Sequence, residues 1–187
     1  MKNQIEIQLT TQKYGNKTFE FVTSPPIVAT SGISVAYGIE LQGKFTELPL
    51  FAGGTNDRSY VQLNLAIDSD FADQVSELEA SVRSKTAFRG EWTNAVSVKG
   101  DTHMLKVRLD VTSASPTNFR VGNAPLACGW PALKEMLDAH GSMRGAAVKV
   151  VLRPQKVWEV QGNVGITWKL IQADFQPHEA VVHDYFA

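Results

Sequence analysis

Cations and a tryptophan are interleaved along the segment 146–175, in a pattern suited to holding a polyanion that also carries flat rings. The cations are Lys149, Arg153 and Lys156, and the ring is Trp158. Ammonium and guanidinium groups bind phosphates, whereas an indole offers a face on which a base can stack. The segment therefore carries side chains that could hold a nucleic-acid strand.

The same segment predicts the element that positions these side chains. Its first and last thirds are rich in β-branched and aromatic residues, and Gln161-Gly162-Asn163 supplies a turn between them. Such a pattern indicates a long β-hairpin. Trp158 shares the strand parity of Lys156 and is expected to face outward. Trp168 shares the parity of aliphatic residues and is expected in the core.

Two further strands are expected to carry candidate residues. The segment 60–67 alternates apolar and polar residues, with Tyr60 on the polar side. The segment 103–111 alternates in the same way, with Lys106 and Arg108 on its polar side. Alternation of this kind is typical of half-buried strands. Lys106 and Arg108 are the best phosphate-binding candidates, although ordinary exposure to solvent would explain their placement equally well.

A predicted loop over 85–92 mixes charges and rings, namely Lys85, Phe88, Arg89 and Trp92. Exposed rings beside cations offer a stacking surface, but rings in loops can also close the ends of a barrel. Together, the candidate nucleic-acid-binding residues are Tyr60, Lys85, Phe88, Arg89, Trp92, Lys106, Arg108, Lys149, Arg153, Lys156 and Trp158.

Composition is that of an ordinary globular protein. The chain has 187 residues, 43% of them apolar, so we expect one domain over 1–175 and a C-terminal tail over 176–187. It has no run of about 20 apolar residues and no apolar stretch after Met1, which argues against a membrane span and a secretory signal. The single cysteine excludes an internal disulfide and a Cys-rich zinc site. We therefore expect a cytoplasmic protein without a membrane partner, cofactor or metal ion.

Charge is segregated along the chain, although the net charge is −1. Six cations stand against two acids over 83–108, and five stand against one over 144–169. In contrast, the segment 68–79 holds five acids and no cation. This distribution permits a basic face opposite an acidic one, although balanced surface charges would give the same counts.

The remaining pattern predicts several strands, a helix, a strand, a short helix and two strands. Apolar residues at helical spacing, after an acidic first turn, predict a helix over about 69–85. Pro131 and Gly141 delimit a short helix over about 131–140. This order indicates a β-rich α+β fold, and the pattern alone fits a five-stranded barrel or a β-sandwich with helical insertions.

The first third of the chain predicts strands whose apolar residues face the core. Phe19 and Phe21 alternate with polar residues, as do apolar residues over 33–41, where parity buries Tyr37. Loops are expected over 42–57 and 113–129.

Three segments partly match catalytic or metal-binding motifs, but none of the three matches is complete. The segment 38–45 lies partly in a predicted strand and has Phe45 where a P-loop needs Ser or Thr. His178 and His183 are five residues apart, so they miss the common helical face of a zinc protease. Cys128 lies between Ala and Gly, which favours packing over a nucleophilic role.

Two segments of the chain resemble a known protein family. A basic strand, a Pro, a Trp, a Gly/Asn turn and then Gly-Ile-Thr-Trp-Lys-Leu-Ile-Gln over 165–172 resemble the C-terminal hairpin of bacteriophage single-stranded DNA-binding proteins with an OB-fold. The opening, over 5–18, is similar to the starts of such phage replication proteins. The resemblance favours an OB-like five-stranded barrel with extra N-terminal strands and the two helices over about 69–85 and 131–140.

The resemblance implies sequence-nonspecific binding of single-stranded DNA in phage replication and recombination, without enzymatic activity, in the cytoplasm of the host bacterium. Members of the family usually end in a strongly acidic tail, whereas only Glu179 and Asp184 are acidic here. Recruitment of replication proteins through the tail is therefore left open. Two other functions also stay open, namely a phage virion or assembly protein and an OB-like enzyme of nucleic-acid metabolism with a carboxylate-bound metal.

Overall fold

The computed structural model describes residues 6–39, 60–112 and 114–176. The expected loop over 42–57 and nearly all of the expected tail over 176–187 lie outside these residues. The strands and helices are β1 (Gln8–Tyr14), β2 (Lys17–Thr23), β3 (Ile27–Ala29), β4 (Ser34–Tyr37), β5 (Tyr60–Ile67), α1 (Ser69–Lys85), β6 (Glu91–Trp92), β7 (Val96–Lys99), β8 (Thr102–Asp110), β9 (Asn118–Val121), α2 (Trp130–His140), β10 (Val148–Val160) and β11 (Asn163–Phe175).

Five strands form a barrel with the order of an OB-fold. The sheet runs β10-β11-β8-β5-β4, with β8 and β11 parallel and the other neighbours antiparallel. The two ends of this series meet, because the Val35 amide donates to the Ala146 carbonyl (2.9 Å) and the Val148 amide donates to the Ile33 carbonyl (3.0 Å). With α2 placed between β8 and β10, this is the five-stranded, partly open barrel of an OB-fold. The predicted fold class is confirmed.

The hairpin β1–β2 lies outside this barrel and extends the sheet beyond β10. Pairing between β2 and β10 is short and joins Phe21 to Lys156 and Glu20 to Val157. β1 is the outer strand of the extension. The predicted turn between β1 and β2 is confirmed, with Gly15 at a φ of 59°.

The predicted β10–β11 hairpin is also confirmed, and its turn follows from two residues. Gln161 and Gly162 have φ angles of 50° and 81°. Positive φ at both central positions is the geometry of the type I′ turn, whose twist matches that of the strands it joins. An extra residue at Gln155 shifts the register between Pro154 and Lys156.

Helix α1 packs its apolar face into the core, and a carboxylate side chain holds each of its ends in place. The Asp68 carboxylate accepts a hydrogen bond from the Phe71 amide at 2.8 Å and caps the N-terminus. At the other end, the buried Glu20 carboxylate accepts hydrogen bonds from the Thr86 hydroxyl (2.6 Å) and the Ala87 amide (3.0 Å). Glu20 therefore fixes the C-terminus of α1 against β2.

Glu20 also overturns one sequence prediction. Phe19 and Phe21 were expected on the core side of β2, but Glu20 and Val22 occupy that side and the two rings are half-buried on the opposite one. A carboxylate with two hydrogen-bond donors can be buried, and this inverts the usual apolar-in alternation.

The core and the helices otherwise follow the predictions. Both helices lie within one residue of the expected bounds, and Trp168 is buried as predicted. Short strands β6, β7 and β9 lie in segments that were predicted as loops or left unassigned. Among the described residues, neither helix is long and apolar enough to cross a membrane.

Candidate nucleic-acid interface

A cleft of about 710 Å³ opens over the outer face of the barrel. Strand pairing builds its floor, because Gln62 lies opposite Arg108 and Asn64 lies opposite Lys106 in the β5–β8 register. Side chains that are directly opposite in an antiparallel pair share a face. Residues from β2, β4, β10 and β11 and from the segment 93–99 form the rest of its lining. The cleft thus crosses the sheet rather than lying within one loop.

Arg108 is held rigidly at the centre of this face. Its guanidinium carbon lies 3.6 Å from the centroid of the Tyr60 ring, which is a stacked cation–π arrangement. Its Nε lies 3.3 Å from the Asp110 carboxylate. Among the residues that the structure describes, the other guanidinium donors of Arg108 have no hydrogen-bond partner, so they can meet an anion in a fixed orientation.

Asp110 is buried and is itself anchored from below. Its second carboxylate oxygen lies 3.2 Å from Nζ of the buried Lys169. The Thr117 hydroxyl accepts a hydrogen bond from the Asp110 amide (2.9 Å) and donates one to the Leu170 carbonyl (2.6 Å). One carboxylate therefore faces two cations, and the group retains a net positive charge at the cleft floor.

A second cation and ring pair is formed between strands β10 and β2. The Lys156 Nζ lies 4.7 Å from the centroid of the Phe19 ring. Partial burial lowers the pKa of Lys156, and the charges of Arg108 and Lys17 lower that pKa further, against an opposite effect of Asp110. Lys156 therefore lies in a region of positive potential that favours an incoming anion.

A third pair lies on the opposite side of the cleft and corrects a prediction. Tyr37 was expected in the core, but it is 41% exposed. The register shifts between Val35 and Tyr37, so that Tyr37 pairs with Asn64. This bulge turns the ring toward the cleft. Lys99 Nζ donates a hydrogen bond to the Tyr37 hydroxyl at 2.8 Å, which raises the pKa of Lys99.

Trp158 lines the cleft on β10, where its position depends on a glycine. It pairs with Gly165 on β11. A Cβ atom built on Gly165 would lie 2.3 Å from Cζ2 of the Trp158 ring, so the indole rests directly on the backbone of β11. The Gly165 position thus allows a large, half-buried ring to lie flat on the sheet.

Glu79 lies buried at the edge of the cleft floor. Its carboxylate accepts hydrogen bonds from Trp168 Nε1 (3.4 Å) and from the Ala95 amide (3.1 Å). Desolvation by burial raises the pKa of Glu79 to about 7, against the lowering effect of these two hydrogen bonds. Trp168 and Ala95 both line the cleft, so Glu79 ties α1 to its floor.

Five of the eleven candidate residues meet in this cleft, namely Tyr60, Lys106, Arg108, Lys156 and Trp158. The loop candidates have contacts elsewhere. Lys85 Nζ donates to the Ile7 carbonyl (2.8 Å), and Arg89 donates to the Thr86 carbonyl (2.9 Å). The rings of this loop, Phe88 and Trp92, are partly buried against the core.

The two candidates on the first half of β10, Lys149 and Arg153, are exposed and do not line the cleft. Lys149 lies opposite Asp174, and Arg153 lies opposite Lys169. These two cations extend the basic surface of the β10–β11 hairpin beyond the cleft.

Sequence reasoning missed Phe19, Tyr37 and Lys99. Phe19 carried a detectable signal, because it alternates with Lys17 and Phe21 on one side of β2. Tyr37 and Lys99 carried no such signal in the sequence. The orientation of Tyr37 depends on a bulge, and the role of Lys99 depends on a contact between residues 62 positions apart.

The comparisons with known proteins gave structural similarity alone. No protein-family model matches the chain, and no curated protein matches it significantly. Three structures of the single-stranded DNA-binding protein from bacteriophage Enc34 are similar, each at 10% identity. The C-terminally truncated form has a TM-score of 0.46 and covers 92% of this chain and 96% of its own.

The other two structures have TM-scores of 0.45. The complex with single-stranded DNA covers 95% of this chain and 97% of its own, and the third structure covers 96% of both. The chain is thus similar in overall structure, over nearly its whole length, to a phage single-stranded DNA-binding protein.

Proposed function

We propose that this protein binds single-stranded DNA without sequence preference, as a binding protein rather than an enzyme. The carrying observation is that three cation–ring pairs line one cleft: Arg108 on Tyr60, Lys156 on Phe19 and Lys99 beside Tyr37. Each pair combines a phosphate-binding charge with a ring that can stack. The biological setting we infer is phage DNA replication or recombination in the bacterial cytoplasm.

The geometry favours a single strand over a duplex. Rings can stack only on bases whose faces are free, and the faces of paired bases are covered by their neighbours. The cleft also lies over β5 and β8, the second and third strands of the barrel, which is the face that OB-folds commonly use for oligonucleotides. Because one fold can serve many functions, the residues of the cleft support the proposal more strongly than the fold does.

Within this proposal the cationic and the aromatic side chains have different roles. Lys106, Arg108 and Lys156 bind phosphates, and Trp158 and Tyr60 stack on bases. Stacking on any base is similar, which gives a sequence-tolerant interaction. The remaining candidates extend the basic and aromatic surface beyond the cleft: Lys85, Phe88, Arg89, Trp92, Lys149 and Arg153.

Salt dependence gives a quantitative expectation. Four cations line the cleft, namely Lys99, Lys106, Arg108 and Lys156. If each releases a counterion, log K should fall with log salt at a slope of about −3 for a single strand. Affinity should then drop by about a hundredfold between about 0.05 and 0.3 M salt.

The test is tryptophan fluorescence titrated with a thymidine oligonucleotide of about 30 bases, long enough to exceed the site of one OB-fold. We expect quenching that weakens with salt, and little response to duplex DNA. Trp158→Ala should lose about tenfold or more in affinity, measured by anisotropy of a labelled oligonucleotide.

Lys134→Gln serves as a control for the cleft cations, because Lys134 is exposed on α2 and pairs with Asp138 away from the cleft. It should bind like the parent, whereas Lys106→Gln should bind more weakly. No binding by the parent at low salt would refute the proposal and favour a structural role in the virion. Magnesium-dependent cleavage of the oligonucleotide would instead favour an enzyme.

A further inference from the structure

A group of rings and one cation continues from the cleft onto the hairpin outside the barrel. Tyr14 lies at the end of β1 and is 59% exposed. Its ring centroid lies 6.2 Å from that of Phe19 and 6.4 Å from that of Phe21. Lys17 is exposed and directly opposite Tyr14 in the β1–β2 register. We call Tyr14, Lys17, Phe19 and Phe21 the hairpin strip.

The hairpin strip is continuous with the cleft. Phe19 lines the cleft and lies beneath the Lys156 ammonium. Phe21 is the register partner of Lys156. From β8 to β1 the sheet crosses four strand spacings, about 19 Å, which is room for five or six bases at a rise of about 3.4 Å.

The core does not require these rings. The opposite side of the hairpin faces the barrel with Leu9, Glu20 and Val22. The Tyr14 hydroxyl donates to Gln12 beside it, which leaves the ring face exposed. A contiguous group of rings, of which Tyr14 is exposed and the two Phe rings are half-buried on the outer side, marks a surface that can bind a ligand. The charge of Lys17 contributes to lowering the pKa of Lys156, so the strip shares the positive potential of the cleft.

We propose that the hairpin strip is a second binding surface for the same DNA strand, where Tyr14 and Phe21 stack on bases and Lys17 binds a phosphate after the strand leaves the cleft over Phe19. This inference rests on the proposed function. It places part of the site on a hairpin outside the five-stranded barrel.

The experiment compares thymidine oligonucleotides of about 4 and about 15 nucleotides, which approach the limits of what one OB-fold covers. Tyr14→Ala should lower affinity for the long oligonucleotide by about tenfold and leave affinity for the short one within about twofold. Tyr14 is exposed, so this change should leave the fold intact.

Lys17→Gln and Lys13→Gln form a matched pair. Both cations are exposed on the same hairpin, but the register places Lys13 on the opposite face from Lys17. Lys17→Gln should reduce the salt slope for the long oligonucleotide by about one, and Lys13→Gln should leave it unchanged.

The outcomes separate the two proposals. If the parent binds neither oligonucleotide, the proposed function itself fails. Suppose instead that the parent binds both oligonucleotides. If Tyr14→Ala then binds the long oligonucleotide as tightly as the parent, and Lys17→Gln has the same salt slope as Lys13→Gln, the hairpin strip is refuted and the cleft remains the binding site. Equal losses on both lengths would also overturn the inference, because they would place the hairpin inside the short site.

Discussion

Replacing Glu79 by Gln should stabilise the protein at alkaline pH and remove a pH dependence of its stability. Glu79 is 3% exposed, and its carboxylate accepts hydrogen bonds from Trp168 and Ala95. A Gln oxygen can accept the same two hydrogen bonds without carrying a charge. The substitution therefore changes the ionisation of the site more than its packing.

The magnitude follows from the pKa of Glu79, which burial raises from 4.5 to about 7. Below pH 4.5 Glu79 is protonated in both the folded and the unfolded chain. The full stabilisation that the raised pKa gives, compared with alkaline pH, is therefore present there. As the pH rises through 7, that contribution is lost, because the unfolded chain ionises more easily. A difference of this size corresponds to about 3 kcal/mol, a large share of the stability of a domain.

Urea denaturation followed by tryptophan fluorescence at pH 5 and pH 8.5 would measure this effect. The parent should lose most of those ~3 kcal/mol between the two pH values, relative to Glu79→Gln. Glu77→Gln is the matched control, because Glu77 is exposed on the same helix. Parallel pH profiles for the parent and Glu79→Gln would refute the assignment of a buried, proton-binding Glu79.

Three further predictions concern the cleft. Lys156→Gln should raise the free energy of unfolding at pH 7 and yet weaken DNA binding. At that pH the lysine is charged in both the folded and the unfolded chain, and its lowered pKa means that the charge destabilises the folded state. A fall in both the free energy of unfolding and the affinity would contradict this. Asp110→Asn should destabilise the fold by about 3–5 kcal/mol in urea titrations, because Lys169 would stay buried without its carboxylate partner. Gly165→Ala should displace the Trp158 ring and lower affinity about as much as Trp158→Ala, and unchanged affinity would show that the ring position is irrelevant.

Local patterns were sufficient where the local signal and the tertiary environment agree. The helix α1 has an N-terminal carboxylate cap and apolar residues at helical spacing, and its bounds match the prediction. The alternation around Tyr60, Lys106 and Arg108 correctly placed each of them on the polar side of its own strand, and the β5–β8 register brings the three together on one face. The short strands β6, β7 and β9 escaped prediction because two to four residues carry too little periodicity.

The rest of the site depends on features that single-sequence patterns do not encode. A bulge reverses the parity of Tyr37, and the burial of Glu20 reverses that of Phe19. Lys85 and Arg89 carry suitable charges, but they donate to backbone carbonyls, Lys85 to that of Ile7 and Arg89 to that of Thr86. Only tertiary packing decides whether a cation is committed to the fold or available to a ligand.

That distinction separates the two central cations of the cleft. Arg108 is held between a ring and a buried carboxylate, which fixes its geometry and offsets part of its charge. Lys156 is partly desolvated beside Arg108 and Lys17, and within the described residues no ion pair is found for it. A phosphate would relieve this repulsion at Lys156, so binding energy should come mainly from Lys156 and orientation from Arg108. Arg108→Lys should therefore keep most of the salt dependence while losing affinity, because a lysine keeps the charge but not the planar stack on Tyr60.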